Sequence, residues 1–265
     1  MPTNWGARSF NGTSDYISTT LTAQQAGFYA NTTNNSFVVT AWANPTTVNA
    51  VHSIFAANAG GLQLRINTTA KLECIRDNQV VLATSTGTVT AGVWSHLACS
   101  VFGVDASGPT CTFFINGVTA GTSTTAANTF STFVPTSLQF IGRNNATAGD
   151  YMLGSIADAA YFTAPNSLNP TLSNSQIAAL AKGIRPWVFA SPSILLTGWY
   201  PLDGLQSPEP DLGGGLSGIG AHNGTLTGTS AAFGPPYAPF TPRWPQVMDI
   251  VVIPPTFVLM PQIVT

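Results

Sequence analysis

Charge is what this sequence has least of. Lys, Arg, Asp and Glu make up 7% of its 265 residues, against roughly a quarter in an average soluble domain. Eight basic residues stand singly among ten acidic ones, for a net charge of −2. There is no basic stripe to neutralise phosphates and no polybasic patch to meet a lipid surface, so neither nucleic acid nor membrane is an expected partner. The histidines, His52, His96 and His222, are isolated, with no second His or Cys at ligand spacing, which argues against zinc. No Gly-x-Ser-x-Gly, P-loop or dinucleotide-binding phrase occurs. An enzyme is not expected. Residues 1–5 lack the charged segment and apolar run of a secretory signal.

Cysteine is scarce too, and the count of three leaves at least one unpaired within the chain. Cys99 and Cys111 lie on two runs joined by a turn near Val104 to Pro109, and a simple hairpin register sets them roughly opposite. A disulfide there competes with the plainer reading, three small buried thiols in a protein folded in a reducing compartment.

Apolar residues are present at an ordinary 44%. The polar surface must therefore come from Thr, Asn, Ser and Gln, which suits strands and turns. Leu62, Leu64 and Ile66 alternate with Gln63, Arg65 and Asn67, which predicts a strand with the first three buried and the others wet. The run Phe37 to Ala43 is apolar on both faces, as in a central strand with something packed on its outer side, and Asn44-Pro45 is expected to end it. Residues 93–102 and 110–118 form the next pair of strands, with Asn116-Gly117 suited to a turn that needs two positive φ angles. One helix is legible: Ser173 to Gln176 is a capping box, Ile177 and Leu180 make a short apolar stripe, and Gly183 is placed to stop it.

Several phrases resemble those of one family. Ser9-Phe10-Asn11-Gly12-Thr13-Ser14-Asp15-Tyr16-Ile17, the Trp94-Ser95-His96 strand, the Ile115-Asn116-Gly117 strand and Gly154-Ser155-Ile156-Ala157-Asp158 resemble successive strands of laminin-G-like, concanavalin A-type domains. The family's first-strand region carries an aromatic-Pro-Leu-Asp phrase and then Asn-Gly-Thr-Leu. Here Trp199-Tyr200-Pro201-Leu202-Asp203 and Asn223-Gly224-Thr225-Leu226 sit near the C-terminus instead. The resemblance implies an all-β fold, an antiparallel jelly-roll sandwich with one short helix, to which the sequence adds an extended C-terminal arm. It reads as circularly permuted: residues 1–233 form the sandwich, with 184–197 as a linker and 198–228 as the displaced first-strand region. Permutation is tolerated where termini lie close together. The rival reading, a second truncated sandwich starting at Trp199, would leave about 30 residues, too few for an independent β domain.

The resemblance also brings calcium into view, since many such domains bind it with rim carboxylates. Asp158 matches the second Asp of the family's Gly-x-Ile-Asp-Asp phrase, Asp15 lies in the Ser-Asp-Tyr phrase, and Ala157 replaces one carboxylate, leaving the site poor in charge. Sugar-cleaving relatives place carboxylates at alternate positions of one strand. This chain has Glu only at 73 and 209, and neither Asp150 with Asp158 nor Asp203 with Asp211 has a catalytic spacing.

Residues 234–265 read as a separate arm. Five prolines between 234 and 245 bar a helix. After Asp249 no charged residue follows, and the apolar residues Ile250, Val251, Val252, Ile253, Phe257, Val258, Leu259 and Met260, with Trp244 before them, call for a surface. Burying them would contribute on the order of 10 kcal/mol before ordering costs. The segment is too short and proline-broken to span a bilayer as a helix. Two destinations compete, a neighbouring subunit and the chain's own sandwich.

Together these features lead to the expectation of a virion structural protein on the particle surface. A phage capsid decoration protein is foremost, its arm linking neighbours, with other virion proteins such as a major capsid protein and further copies of itself as partners. The alternative is a glycan-binding adhesin module, for which Trp5, Tyr29 and Tyr151 are candidate stacking aromatics.

Overall fold

A computed structural model describes residues 6–26, 36–57, 62–76, 80–102, 110–124, 136–144, 150–164, 171–214 and 220–236. The chain forms two antiparallel sheets packed as a jelly-roll sandwich. Its strands run, in order, β1 (Gly6–Asn11), β2 (Tyr16–Thr22), β3 (Ser36–Pro45), β4 (His52–Ala57), β5 (Gln63–Ile66), β6 (Lys71–Arg76), β7 (Val80–Thr88) and β8 (Ser95–Phe102). There follow β9 (Thr110–Ile115), β10 (Val118–Thr124), β11 (Leu138–Ile141), β12 (Leu153–Ala164), helix α1 (Asn174–Leu180), β13 (Leu195–Tyr200), β14 (Thr225–Thr227) and β15 (Ser230–Phe233). The first sheet has the order β10-β9-β8-β3-β12-β1-β15, with β13 also on β12, and the second runs β14-β2-β11-β4-β5-β6-β7. Among the described residues no helix is long and apolar enough to cross a membrane.

The long β12 organises the first sheet. One edge carries β3 along most of its length, while the other is divided: β1 pairs with Leu153 to Ile156 and β13 with Ala159 to Thr163. Where the two meet, the ladder bulges between Ala157 and Ala160, and Asp158 takes φ +48°. A bulge of this kind bends the strand and re-aims the extra side chain. The segment after α1 then serves both sheets, since β15 pairs with β1 and β14 with β2.

Between the sheets lies the main core, which includes Ile17, Phe37, Val39, Leu64, Ile66, Phe113, Ile156, Tyr161 and Tyr200. A second apolar layer covers the outer face of the first sheet: Val38, Ala98, Phe114, Ala160 and Phe162 meet Leu172, Ile177, Leu180, Leu196 and Trp199. This is why β3 is apolar on both faces. The helix is as expected, with Ser173 and Gln176 closing the capping box and Gly183 at φ +88° beyond the last turn.

Some expectations need correction. Residues 184–197 do not merely link: Pro186–Phe189 form a 3₁₀ turn, Phe189, Ala190 and Ile194 pack on the second layer, and the strand begins at Leu195. Pro45 lies inside β3 rather than beyond it, because it pairs with Gly154 near the ladder's end. Gln63 is buried, not wet, and donates to Ser53 Oγ at 2.9 Å. Cys99 faces Phe113 and Cys111 faces Val101, so the two cysteines are diagonal, two residues out of register. All three cysteines are free thiols, buried together in the core, with Cys74 arriving from the opposite sheet.

Candidate functional site

The outer face of the first sheet is covered by the second apolar layer, and the partly exposed rings and several of the rare charges gather on the outward side of the second. Alternation dictates what that face displays. On β2, Ile17 and Leu21 enter the core, so Tyr16, Ser18 and Thr20 point away. On β5 and β6, Leu64, Ile66, Leu72 and Cys74 enter the core, leaving Arg65 and Glu73 on the outside as a directly opposed pair. The end of β11 and the start of β12 are joined by a hairpin that begins at Gly142. This residue has φ +81°, and a Cβ there would sit 2.4 Å from the Phe10 ring, so only glycine fits. Immediately after it, Arg143 bridges to Tyr151.

Two half-sites result, joined by this hairpin. In the aromatic half, the Arg143 guanidinium carbon lies 4.5 Å from the Tyr16 ring centre, 5.3 Å from Phe140 and 5.9 Å from Tyr151. Tyr16 and Phe140 meet edge to face at 5.9 Å. A cation over ring faces is attracted by their quadrupoles and holds them in place, by about 0.5–1 kcal/mol per contact at a wet site. Tyr16, Arg143 and Tyr151 are all partly exposed, while Phe140 is buried beneath them.

In the polar half, Arg65 donates from Nε to Glu73 Oε2 at 2.9 Å and from Nη1 to Asp150 Oδ2 at 3.2 Å. Asn67 donates to the other Glu73 oxygen at 2.8 Å, and Asn144 to Asp150 Oδ2 at 3.3 Å. One guanidinium thus orders two carboxylates and, through them, two amides. The result is a rigid set of planar donors and acceptors beside partly exposed rings. Such a surface can stack on the apolar face of a sugar ring and hydrogen-bond its hydroxyls.

The expected calcium ligands lie elsewhere and apart. The Asp158 carboxylate accepts hydrogen bonds from Arg185 Nη1 and from Trp199 Nε1, the latter at 3.1 Å. Asp15 closes the turn between β1 and β2, accepting from the Asn11 amide at 3.0 Å and abutting Gly228. Each serves its own structural partners. Among the described residues no three His, Cys, Asp or Glu side chains are gathered to hold a metal ion.

Of the candidate aromatics, Tyr151 is in the cluster, while Trp5 and Tyr29 fall outside the described residues, as do the arm residues Trp244, Ile250 to Ile253 and Phe257 to Met260. His96 is a packed strand residue: burial pushes its pKa down to about 3, and Thr40 Oγ1 lies 2.6 Å from Nε2. Sequence reasoning missed Tyr16, Phe140, Arg143 and the Arg65 network. The scarcity of charge was the available signal, since each arginine in so neutral a chain needs a specific partner.

Other rare charges bind the C-terminal segment to the sandwich. Arg8 Nε donates to Glu209 Oε2 at 3.1 Å, and Leu202 N to Glu209 Oε1 at 2.7 Å. Burial raises the Glu209 pKa above the usual carboxylate range, with Arg8 opposing the shift. Asp211 accepts from the amides of Trp199, Gly213, Gly214 and His222 at 2.9–3.1 Å.

The architecture is that of a jelly-roll sandwich module. The family model of the concanavalin A-like lectin/glucanase superfamily matches residues 11–169, and the chain belongs to that superfamily. Among solved structures, a Bacteroides ovatus protein provisionally described as carbohydrate-binding matches at TM-score 0.59 and 19% identity, over 87% of this chain and 60% of its own. This chain therefore spans less than two thirds of that structure. A heptameric pentraxin from Limulus polyphemus matches at TM-score 0.47 and 14% identity, covering 67% of this chain and 82% of its own. The CBM40 module of a Ruminococcus gnavus sialidase, bound to sialyllactose, matches at TM-score 0.47 and 16% identity, covering 66% and 97%. No curated protein matches this chain.

Proposed function

We propose that this chain is a glycan-binding module that recognises carbohydrate on the outer face of the second sheet. The observation that carries the reading is the junction of the partly exposed Tyr16, Arg143 and Tyr151 with the ordered Arg65–Glu73–Asp150 network on the outward side of this sheet. Membership of a lectin/glucanase superfamily supports it, as does the fold shared with the Bacteroides ovatus protein.

Binding fits the geometry better than hydrolysis. A glycosidase needs two carboxyl groups flanking the scissile bond, one of them ready to give a proton. Here Glu73 and Asp150 are both turned onto one guanidinium. The virion reading drawn from the arm rests on residues outside the described set. Superfamily membership and the partly exposed Tyr16, Arg143 and Tyr151 favour glycan recognition over it. A glycan array probed with the whole chain and with Tyr151→Ala tests the proposal: the chain is expected to retain a defined set of glycans that the variant loses. Binding to none, or equal binding by the variant, would refute it.

A further inference from the structure

The two long sides of the sandwich are finished differently. On one side β7 and β10 close it: Thr86 Oγ1 donates to Ala120 O at 3.0 Å, and a Cβ on Gly87 would lie 3.1 Å from that of Ala120. On the other side the sheets end in β15 and β14, and β15 pairs with no further strand among the described residues. This open side carries Leu205 at 82% and Phe233 at 80% exposure, the highest values among the exposed large apolar side chains. They belong to one patch. Phe233 pairs with Gly6, which packs under Asp203, and Gly204 lies against Ala231, next to Leu205.

The chain beyond this edge has the composition to cover it. Prolines at 235, 236, 239, 242 and 245 deny ladder hydrogen bonds up to Trp244-Pro245. Residues 246–253 contain no proline, end in Ile250-Val251-Val252-Ile253 and are followed by the apolar Phe257 to Met260. That is the first stretch after β15 able to pair with a strand edge, and its β-branched residues suit one. A segment tethered this closely has an effective concentration on the order of millimolar, well above that of a second copy in ordinary solution.

We propose that residues 246–260 of the same chain cover the open edge of β15, adding a strand and burying Leu205 and Phe233. The proposal is independent of glycan recognition, which uses the opposite sheet's outer face. A photoreactive benzoylphenylalanine in place of Leu205 in the full chain, irradiated at low micromolar concentration and mapped by mass spectrometry, tests it. The expected product is a monomer cross-linked to a peptide from 246–260. A cross-linked dimer would make a second copy the occupant and overturn the proposal, as would cross-links confined to the sandwich. Hydrogen exchange provides a second reading in the Leu205→Asp, Phe233→Asp variant, whose exposed positions leave the core intact. Protection of residues 246–253 is expected to fall at least tenfold, and unchanged protection would also overturn it.

Discussion

The outer faces of the two sheets begin from the same strand alternation and end as opposites. On the first sheet, Val38, Ala98, Phe114, Ala160 and Phe162, with Trp199 of β13, are apolar and lie under α1 and the 3₁₀ turn. On the second, Tyr16 and Arg143 remain partly exposed, while the polar Ser53, Gln63 and Glu73 on the same outward side are buried. The few charges follow the same division. Arg8–Glu209 and Arg185–Asp158 tie down the segment after α1, whereas Arg65, itself largely buried with Glu73, and the partly exposed Arg143 organise the outward side of the second sheet. A chain this poor in charge uses each ion pair either to seat its cover or to shape its surface.

The largest test removes the C-terminal strands on which both sheets depend. Deleting residues 194–233 takes β13, β14 and β15 from both sheets, and cooperative thermal unfolding should be lost entirely; a retained sharp transition would mean that these strands are accessory. Single truncations should then separate the faces. Trp199→Ala, inside the second apolar layer, is expected to lower stability by about 3–5 kcal/mol in denaturant titration, while Tyr151→Ala costs less than about 1 kcal/mol. The order reverses for the glycan: Tyr151→Ala should weaken binding roughly tenfold, about 1.4 kcal/mol, and Trp199→Ala should leave affinity unchanged where the protein is folded.

Arg185→Ala strands the buried Asp158 carboxylate and should cost about 3 kcal/mol. Arg65→Ala strands two largely buried carboxylates, Glu73 and Asp150, and should cost a comparable ~3 kcal/mol while also weakening binding, whereas Arg185→Ala should leave binding unchanged. Equal losses of binding for the two would contradict the division of roles.

The smallest effect is a pH slope. His96 is held neutral by burial, with its pKa near 3 in the fold against an ordinary 6.5. Between these values the unfolded chain binds a proton that the folded one does not, so this contribution is complete above pH 6.5 and is lost as pH falls toward 3. His52, lowered in the same direction mainly by burial, adds to it. Denaturant midpoints of His96→Gln from pH 7 to pH 4 should fall less than those of the parent, and parallel curves would remove His96 as the cause.

Much of the architecture was legible because it is local. Alternation placed Leu62, Leu64 and Ile66 in the core, the capping box at Ser173 marked the helix start, and Asn116-Gly117 marked the turn where both φ angles are positive, +52° and +77°. The two-sided apolar run of β3 announced a second layer. Less was legible of the site. Tyr151 was noticed as an aromatic, but Tyr16 lies far in the chain from Phe140 and Arg143 and meets them only after β2 and β11 pair. Glu73 and Asp150 are 77 residues apart and share Arg65 through the folding of the sandwich alone. Asp158 looked like a metal ligand from its phrase, and nothing in the sequence indicated that Arg185 and Trp199 would take its carboxylate.

By itself, then, the sequence determined the fold class, the strand faces, the helix and the need for every charge to find a partner, because these depend on periodicity, turn chemistry and composition. Tertiary structure alone decided that β1 and β13 share one edge of β12, that the cysteines stand out of register, and that α1 packs on the first sheet rather than the second. Those outcomes depend on register and on which segment covers which sheet. Both are set by long-range pairing energies that no local pattern encodes.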